Sequence, residues 1–340
     1  MQAAQSQEHA VAWDDRVLAS QSAPHFMQSS TWEAVRSSGP WRVSRRGLGV
    51  ERDFPVLVFE RLAAGFGLFA HIPRVSGLGP ADVPWFTERV RAERGTAFAT
   101  KVEVHQPRDE ALVAAFASNG WLPTAASQYR HAVVVDTSAG EEEILSGMKK
   151  RARAEIRSAE RQGVVVGRVD ADASGRRIMA ELVRTTAQRS GAFFRSAEYL
   201  ERVWDTLARD DRGRLYFARH DGQVVSGAFV ATYGPNAWYK DGGSLRDRPQ
   251  LMASRLLQWE IIRDLAAAGI ERYDLGHVPP PGEPDAAGRG VLTFKSAFAR
   301  DIVEFMPAFQ LSHEDRAEEW RLGERAFLAR YLERTGDYWY

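Results

Sequence analysis

The chain has no cysteine, and that single absence excludes thiol nucleophiles, disulfides and cysteine-held zinc. Lysine is scarce: of 45 lysines and arginines, only Lys101, Lys149, Lys150, Lys240 and Lys295 are lysine. Where arginine is the default cation, a retained lysine marks a place that needs a compact point charge. Formal net charge is zero, so affinity for nucleic acid has to come from a local patch and not from bulk charge. No apolar run approaches the roughly 20 residues that a membrane span requires, and the first residues carry no signal-peptide pattern. The expectation is a cytoplasmic chain. There is no G-x-S-x-G elbow and no P-loop, and His71, His105 and His131 are scattered without metal-ligand spacing, so no metal is expected.

What is present reads as two α+β halves. A length of 340 residues fits two domains of ordinary size. The first half predicts a helix capped by Ser29 or Ser30, strands over WRVSRRGLGV, DFPVLVFERLA and GFGLFAHIPRV, a helix over 80–93, and a strand over TAFATKVEV. A third helix over 109–118 and the strand YRHAVVVD follow. At about Asp136 the pattern begins again: the helix MKKRARAEIRSAERQG, a strand VVVGRV, helices over 172–190 and within GAFFRSAEYLERVWDTLA, and a hairpin turned at Asp221-Gly222. DIVEFMPAFQLS reads as one strand, and 313–334 as a terminal helix. The expected division is 1–137 with 305–340 as the first lobe, and 138–304 as the second.

The chemistry concentrates between Trp238 and Phe298. WYKDGGS predicts a strand ending in a glycine turn at Gly242-Gly243. LLQWEIIRDLAAAGIERYDLG predicts a helix and a strand, and a Pro/Gly loop over 278–290 delivers Phe294 and Lys295. Strand, helix, strand and long loop form a unit that presents loop residues at one sheet edge. Lys295 can stabilise negative charge on a carbonyl oxygen, or snorkel from a packed loop. Lys150, Arg153, Arg157 and Arg161 lie along one helix face, either as a phosphate-tracking stripe or as a solvated face paired with Glu155 and Glu160. Arg195 and Tyr199, one helical turn apart, are able to hold a phosphate or carboxylate, or to be a plain helix start. An acetyl-CoA site needs a glycine-rich turn at a helix start. The corresponding turn here is RDRPQLMASR, which has no glycine and a proline that removes one N–H.

Taken in order, QSSTWEAVR, KVEV, MKKRARAEIRSAERQGVVV, FFRSAEYL, WYKDGGS, LLQWEIIRDLAAAGIERYDLG and LTFKSAF resemble the Fem family of aminoacyl-tRNA-dependent peptidyl transferases, which build peptidoglycan interpeptide bridges. The matching segments span residues 28–298. The resemblance implies two acetyltransferase-like (GNAT-like) lobes without the coiled-coil arm that some members carry. It implies transfer of an amino acid to an amine of a nucleotide- or lipid-linked muropeptide, with aminoacyl-tRNA as co-substrate and no other cofactor. Peripheral membrane contact and a monomer or homodimer go with it. It places Arg36, Arg195, Tyr199 and Tyr239 with the precursor, and Glu103 near the acceptor. It places Phe294 and Lys295 at the aminoacyl end, with Lys149, Lys150, Arg153 and Arg157 as tRNA contacts. Glu103 or Asp241 would assist or orient the attacking amine. His277 in YDLGH, the segment HIPRVSG and the loop over 279–290 depart from the family pattern. These departures keep a second acceptor class open, an antibiotic or other small amine.

Overall fold

The structure, a computed structural model, describes residues 2–48, 53–190, 195–245, 248–282 and 288–340. Phe193 and Phe194 of FFRSAEYL, Arg246 and Asp247 of the turn before the central helix, and 283–287 of the Pro/Gly loop lie outside them. In chain order the elements begin with α1 (Gln2–Ser20), α2 (Ser30–Ser37), β1 (Arg42–Gly47), β2 (Pro55–Ala63), β3 (Gly67–Val75), α3 (Val83–Ala92), β4 (Ala97–Val104), α4 (Glu110–Ser118) and β5 (Trp121–Pro123). There follow β6 (His131–Asp136), α5 (Glu141–Gly147), α6 (Lys150–Arg161), β7 (Val165–Val169), α7 (Ala173–Ser190), α8 (Ala197–Arg209), β8 (Gly213–His220), β9 (Gln223–Tyr233) and β10 (Asn236–Ser244). The chain ends with α9 (Ala253–Ala267), β11 (Arg272–His277), α10 (Gly288–Lys295), β12 (Ile302–Glu304), β13 (Ala308–Ser312) and α11 (Arg316–Thr335).

Two compact units result, 1–130 with 304–340 and 131–303. The first is built on a sheet of order β1-β2-β3-β4-β13-β5, the second on a sheet of order β12-β6-β11-β10-β9-β8-β7. Each sheet contains a parallel pair joined through a helix: β3–β4 through α3, and β10–β11 through α9. The boundary lies seven residues earlier than the sequence patterning places it. His131–Asp136 looks like the last strand of the first half, yet it pairs antiparallel with β11 of the second sheet. DIVEFMPAFQLS is likewise not one strand. It divides into β12 and β13, which join different sheets, and Pro307, lacking an N–H, stands in the break between them.

Helices α2, α4 and α9 form where their caps and apolar spacing predict, whereas α5 and α10 were not expected. Ser29 Oγ accepts the Trp32 N–H at the start of α2, and Asp109 caps α4 through the Ala111 N–H at 2.8 Å. Such caps stabilise a helix by about 1 kcal/mol each. The buried face of α9 carries Leu256, Leu257, Ile261, Ile262 and Leu265 into the core of the second unit. Each such side chain contributes roughly 1.5–3 kcal/mol relative to exposure. In the first unit Lys101, the first residue of KVEV, is fully buried on β4. Its ammonium donates to Glu324 of α11 and to the Ala125 carbonyl at 2.7 Å. This ion pair fastens the terminal helix to the first sheet.

Candidate functional site

The parallel pairing of β10 with β11 runs from Asn236↔Arg272 to Trp238↔Asp274 and stops there. Two irregularities flank the stop. On β10 the register with β9 shifts between Tyr239 and Asp241, leaving Lys240 as the extra residue of a bulge. On β11 the register with β6 shifts between Asp274 and His277. Parallel strands that cease pairing at their carboxyl ends open a crevice, the usual location of ligand sites in such sheets. Lys295 stands at this point. Its ammonium donates to the His277 carbonyl at 2.9 Å and lies 5.9 Å from the centre of the Tyr239 ring. Gly276 beside it has φ +77°, a backbone conformation that favours glycine, and a Cβ there would be in ordinary contact with Nζ at 3.5 Å. Asp274 turns this corner of the backbone by accepting the Gly276 N–H at 2.6 Å.

Burial pushes the Lys295 ammonium down to about 8, against the attraction of the Asp274 carboxylate. Burial first, and then Asp241, raises the Tyr239 hydroxyl, so it stays a neutral donor. The amide of Gln258 on α9 faces Tyr239 and accepts the Tyr273 hydroxyl at 2.9 Å. Phe294 packs against Phe298 in an edge contact at 5.7 Å. The segment that carries both Phe294 and Lys295 is helix α10 from Gly288, shortening the loop expected up to residue 290.

The bulge at Lys240 changes which face the following residues use, and this overturns the glycine turn expected at Gly242-Gly243. The strand continues to Ser244. Tyr239 joins the core under α9. Without the bulge Asp241 would face the same way. Instead Asp241 accepts the Trp204 indole N–H of α8 at 2.7 Å and the Lys240 ammonium at 3.2 Å. A Cβ on Gly242 would overlap the Tyr239 ring, and one on Gly243 would overlap the Leu182 backbone and lie 2.7 Å from Val183 N. The two glycines are there for close approach from opposite faces. Asp241 is bound as a structural carboxylate, and the structure does not bring it to Lys295.

The basic helix α6 divides its cations. Arg153 donates to the carbonyls of Leu145 at 2.9 Å and Met148 at 2.7 Å, closing the end of α5. It is therefore a backbone clamp, not a free phosphate contact. Lys149, the residue before α6, donates to Ser296 Oγ at 2.9 Å, next to Lys295. Lys150 and Arg157 are exposed. Glu155 pairs with Arg151 at 2.8 Å, and also with Arg255 of α9. Arg195 lies over the Tyr199 ring at 4.5 Å, with Arg202 at 5.5 Å from the same ring. This forms a compact cationic corner at the start of α8.

Arg36 and Glu103 belong to the first unit. The Arg36 guanidinium lies over Trp41 at 5.0 Å and Phe59 at 5.7 Å. Glu103 is buried on β4, where it accepts the Ser127 N–H, the Ser127 hydroxyl at 3.0 Å and the Gln128 N–H at 3.2 Å. His71 lies 3.5 Å away. The carboxyl is held down at about 2, burial opposing and His71, Arg74 and Lys101 favouring its charge. A carboxylate with that proton affinity remains ionised at neutral pH and is a weak proton acceptor. Its bonds hold the turn at Ser127–Gln128.

Residues missed in the sequence are Arg255 and Gln258. The available signal was position: both lie on the face of α9 that buries Trp259 and Ile262, where an arginine or glutamine needs a fixed partner. Among the described residues no group of His, Asp and Glu has metal-site geometry. No helix there is long and apolar enough to cross a membrane.

Residues 146–296 match the family described as acetyltransferase (GNAT) domain. The UDP-N-acetylmuramoylpentapeptide-lysine N(6)-alanyltransferase of Weissella viridescens is 26% identical over 121 residues, 34% of this chain and 33% of that protein. The lipid II:glycine glycyltransferase of Staphylococcus aureus is 29% identical over 94 residues, 28% of this chain and 22% of that protein. The chain thus matches about a third or less of the length of these curated relatives. The crystal structure of FemX superposes with a TM-score of 0.81 at 16% identity, covering 92% of this chain and 98% of that one. The fold is therefore two GNAT-like units. Only residues 210–212 join α8 to β8, so no coiled-coil arm is inserted there.

Proposed function

This chain is a relative of the Fem family of transferases, and from that premise we propose that it moves an amino acid from aminoacyl-tRNA to an amine of a peptidoglycan precursor stem peptide, forming an interpeptide bridge. The observation that carries the proposal is Lys295, a desolvated ammonium beside Tyr239 where β10 and β11 stop pairing. The reaction is ester aminolysis. The amine nitrogen bonds to the aminoacyl carbonyl carbon, the carbonyl oxygen takes up negative charge, and the bond to the 3′ oxygen of tRNA then breaks. The proton lost by the amine ends on that leaving oxygen. A positive charge fixed in a water-poor site favours both oxygens more in the transition state than in the ester. Lys295 supplies it, with the Tyr239 ring beside it.

The other roles follow from the placements above. Lys149, Lys150 and Arg157 would meet the tRNA backbone, with Arg153 shaping the helix that presents them. Arg195, Tyr199 and Arg36 would hold precursor phosphates. Glu103, ionised and fully bonded, would orient its surroundings and not accept the proton, and Asp241 is left without a catalytic part. Use of aminoacyl-tRNA would place the protein in the cytoplasm. The test is transfer of a labelled amino acid from a mixed charged-tRNA pool to a muropeptide precursor, with and without RNase. RNase-sensitive label on the precursor is expected. Folded protein that moves no label to it would overturn the proposal.

A further inference from the structure

The residues on either side of Lys295 are both tied down. After it, Ser296 Oγ accepts the Lys149 ammonium at 2.9 Å, and the Lys149 N–H bonds the Ala297 carbonyl at 3.0 Å. Before it, the Phe294 carbonyl accepts Arg255 Nη1 at 2.5 Å. The same guanidinium lies 4.6 Å from the Phe294 ring centre and 5.4 Å from that of Phe298. Its Nε donates to Glu155 Oε2 at 2.8 Å, and both partners of that pair keep only 13% of their side-chain surface. We propose that Arg255 is a positioning residue for Lys295, its fork tying helix α6, through Glu155, to the backbone of α10 and so setting where the ammonium stands. This rests on the transferase reading of the same site and names the frame behind it.

The chemistry demands arginine. One group has to bond in two directions within a plane while its faces meet two aromatic rings, and an ammonium on a flexible stem cannot do so. With the fork gone, the end of α10 is released on one side while Lys149 still holds the other. Misplacement by about 1 Å can cost on the order of 10²-fold in rate, and it acts on the chemical step more than on tRNA binding.

The test compares wild type with Arg255→Lys and Glu155→Gln. Transfer kinetics are measured alongside NMR of the lysines after reductive ¹³C-methylation, with Lys295→Arg identifying the Lys295 signal. The expected result is a kcat lower by about 10- to 100-fold in Arg255→Lys, with KM for aminoacyl-tRNA within about threefold. The Lys295 signal, expected to titrate at about 8 in wild type, moves up toward the ordinary value of about 10.4 as water reaches the ammonium. Glu155→Gln, which keeps the side-chain size, shifts the signal the same way by less and serves if Arg255→Lys does not fold. A loss confined to KM, or an unchanged kcat with an unmoved Lys295 signal, overturns the proposal. Inactive wild type with a signal that still moves would sink the transferase reading and leave the anchoring in place.

Discussion

Replacing Lys295 by arginine separates the charge of the side chain from its titration. In wild type the ammonium is held near about 8, so roughly 90% is cationic at pH 7 and roughly 10% at pH 9. Arginine stays charged throughout this range. If the cation stabilises the oxyanion and the leaving oxygen, the ratio of wild-type to Lys295→Arg kcat/KM falls about tenfold between pH 7 and pH 9. The acceptor amine cancels in that ratio. Taken singly, an amine of pKa ~10.4 gains about 100-fold in free base over the interval. The variant profile therefore rises about 100-fold and the wild-type profile about tenfold, bending near pH 8. The assay is initial-rate transfer from charged tRNA, with spontaneous ester hydrolysis subtracted from enzyme-free controls. Parallel profiles would refute the reasoning, because Lys295 would then not be acting through its charge. A wild-type profile that climbs more steeply than the variant's below about pH 8 and runs parallel to it above would make it a proton acceptor instead.

Three further outcomes follow from the packing. Gly243→Ala places a methyl group against the Leu182 backbone. A loss of about 1–3 kcal/mol, or several degrees of melting temperature, is expected by calorimetry; an unchanged melt would contradict the face switch at the Lys240 bulge. The folded Glu103 carboxyl, at about 2, lies below its unfolded value, so its stabilisation is complete above about pH 4.5 and is lost as pH falls through 2. Glu103→Gln should accordingly melt lower than wild type at pH 7, with the gap closing toward pH 3; a gap independent of pH would argue against an ionic role. Arg153→Ala should lower the melting temperature, whereas Lys150→Ala and Arg157→Ala should leave it alone and each reduce the salt slope of tRNA binding by about one. Equal salt slopes in all three variants would remove the distinction drawn along α6.

The local elements were legible in the sequence because their causes are local. The serine cap of α2, the apolar spacing of α9 and the Asp221-Gly222 hairpin each involve neighbours a few residues apart, and they appear where they were read. The pairing of those elements was not local. Nothing in YRHAVVVD says that His131–Asp136 will hydrogen-bond to β11 and not to the first sheet, and nothing in DIVEFMPAFQLS says that its two ends serve different sheets. The candidate site divides in the same way. Lysine scarcity and the Phe-Lys pair marked Lys295 from sequence alone, since an unusual residue type is visible without coordinates. Its lowered proton affinity comes from burial against groups some twenty and more residues earlier in the chain, and Arg255 was invisible because its partners lie on α6 and α10. Asp241 shows what spacing leaves open. Spacing put it beside Tyr239, and a single bulged residue turned it to the other face, where an indole had already claimed it. Sequence determined which residue types stand at which positions and so which were candidates for the chemistry. Tertiary structure decided which of them meet, because facing, burial and partner choice depend on pairing between strands and helices that are distant along the chain.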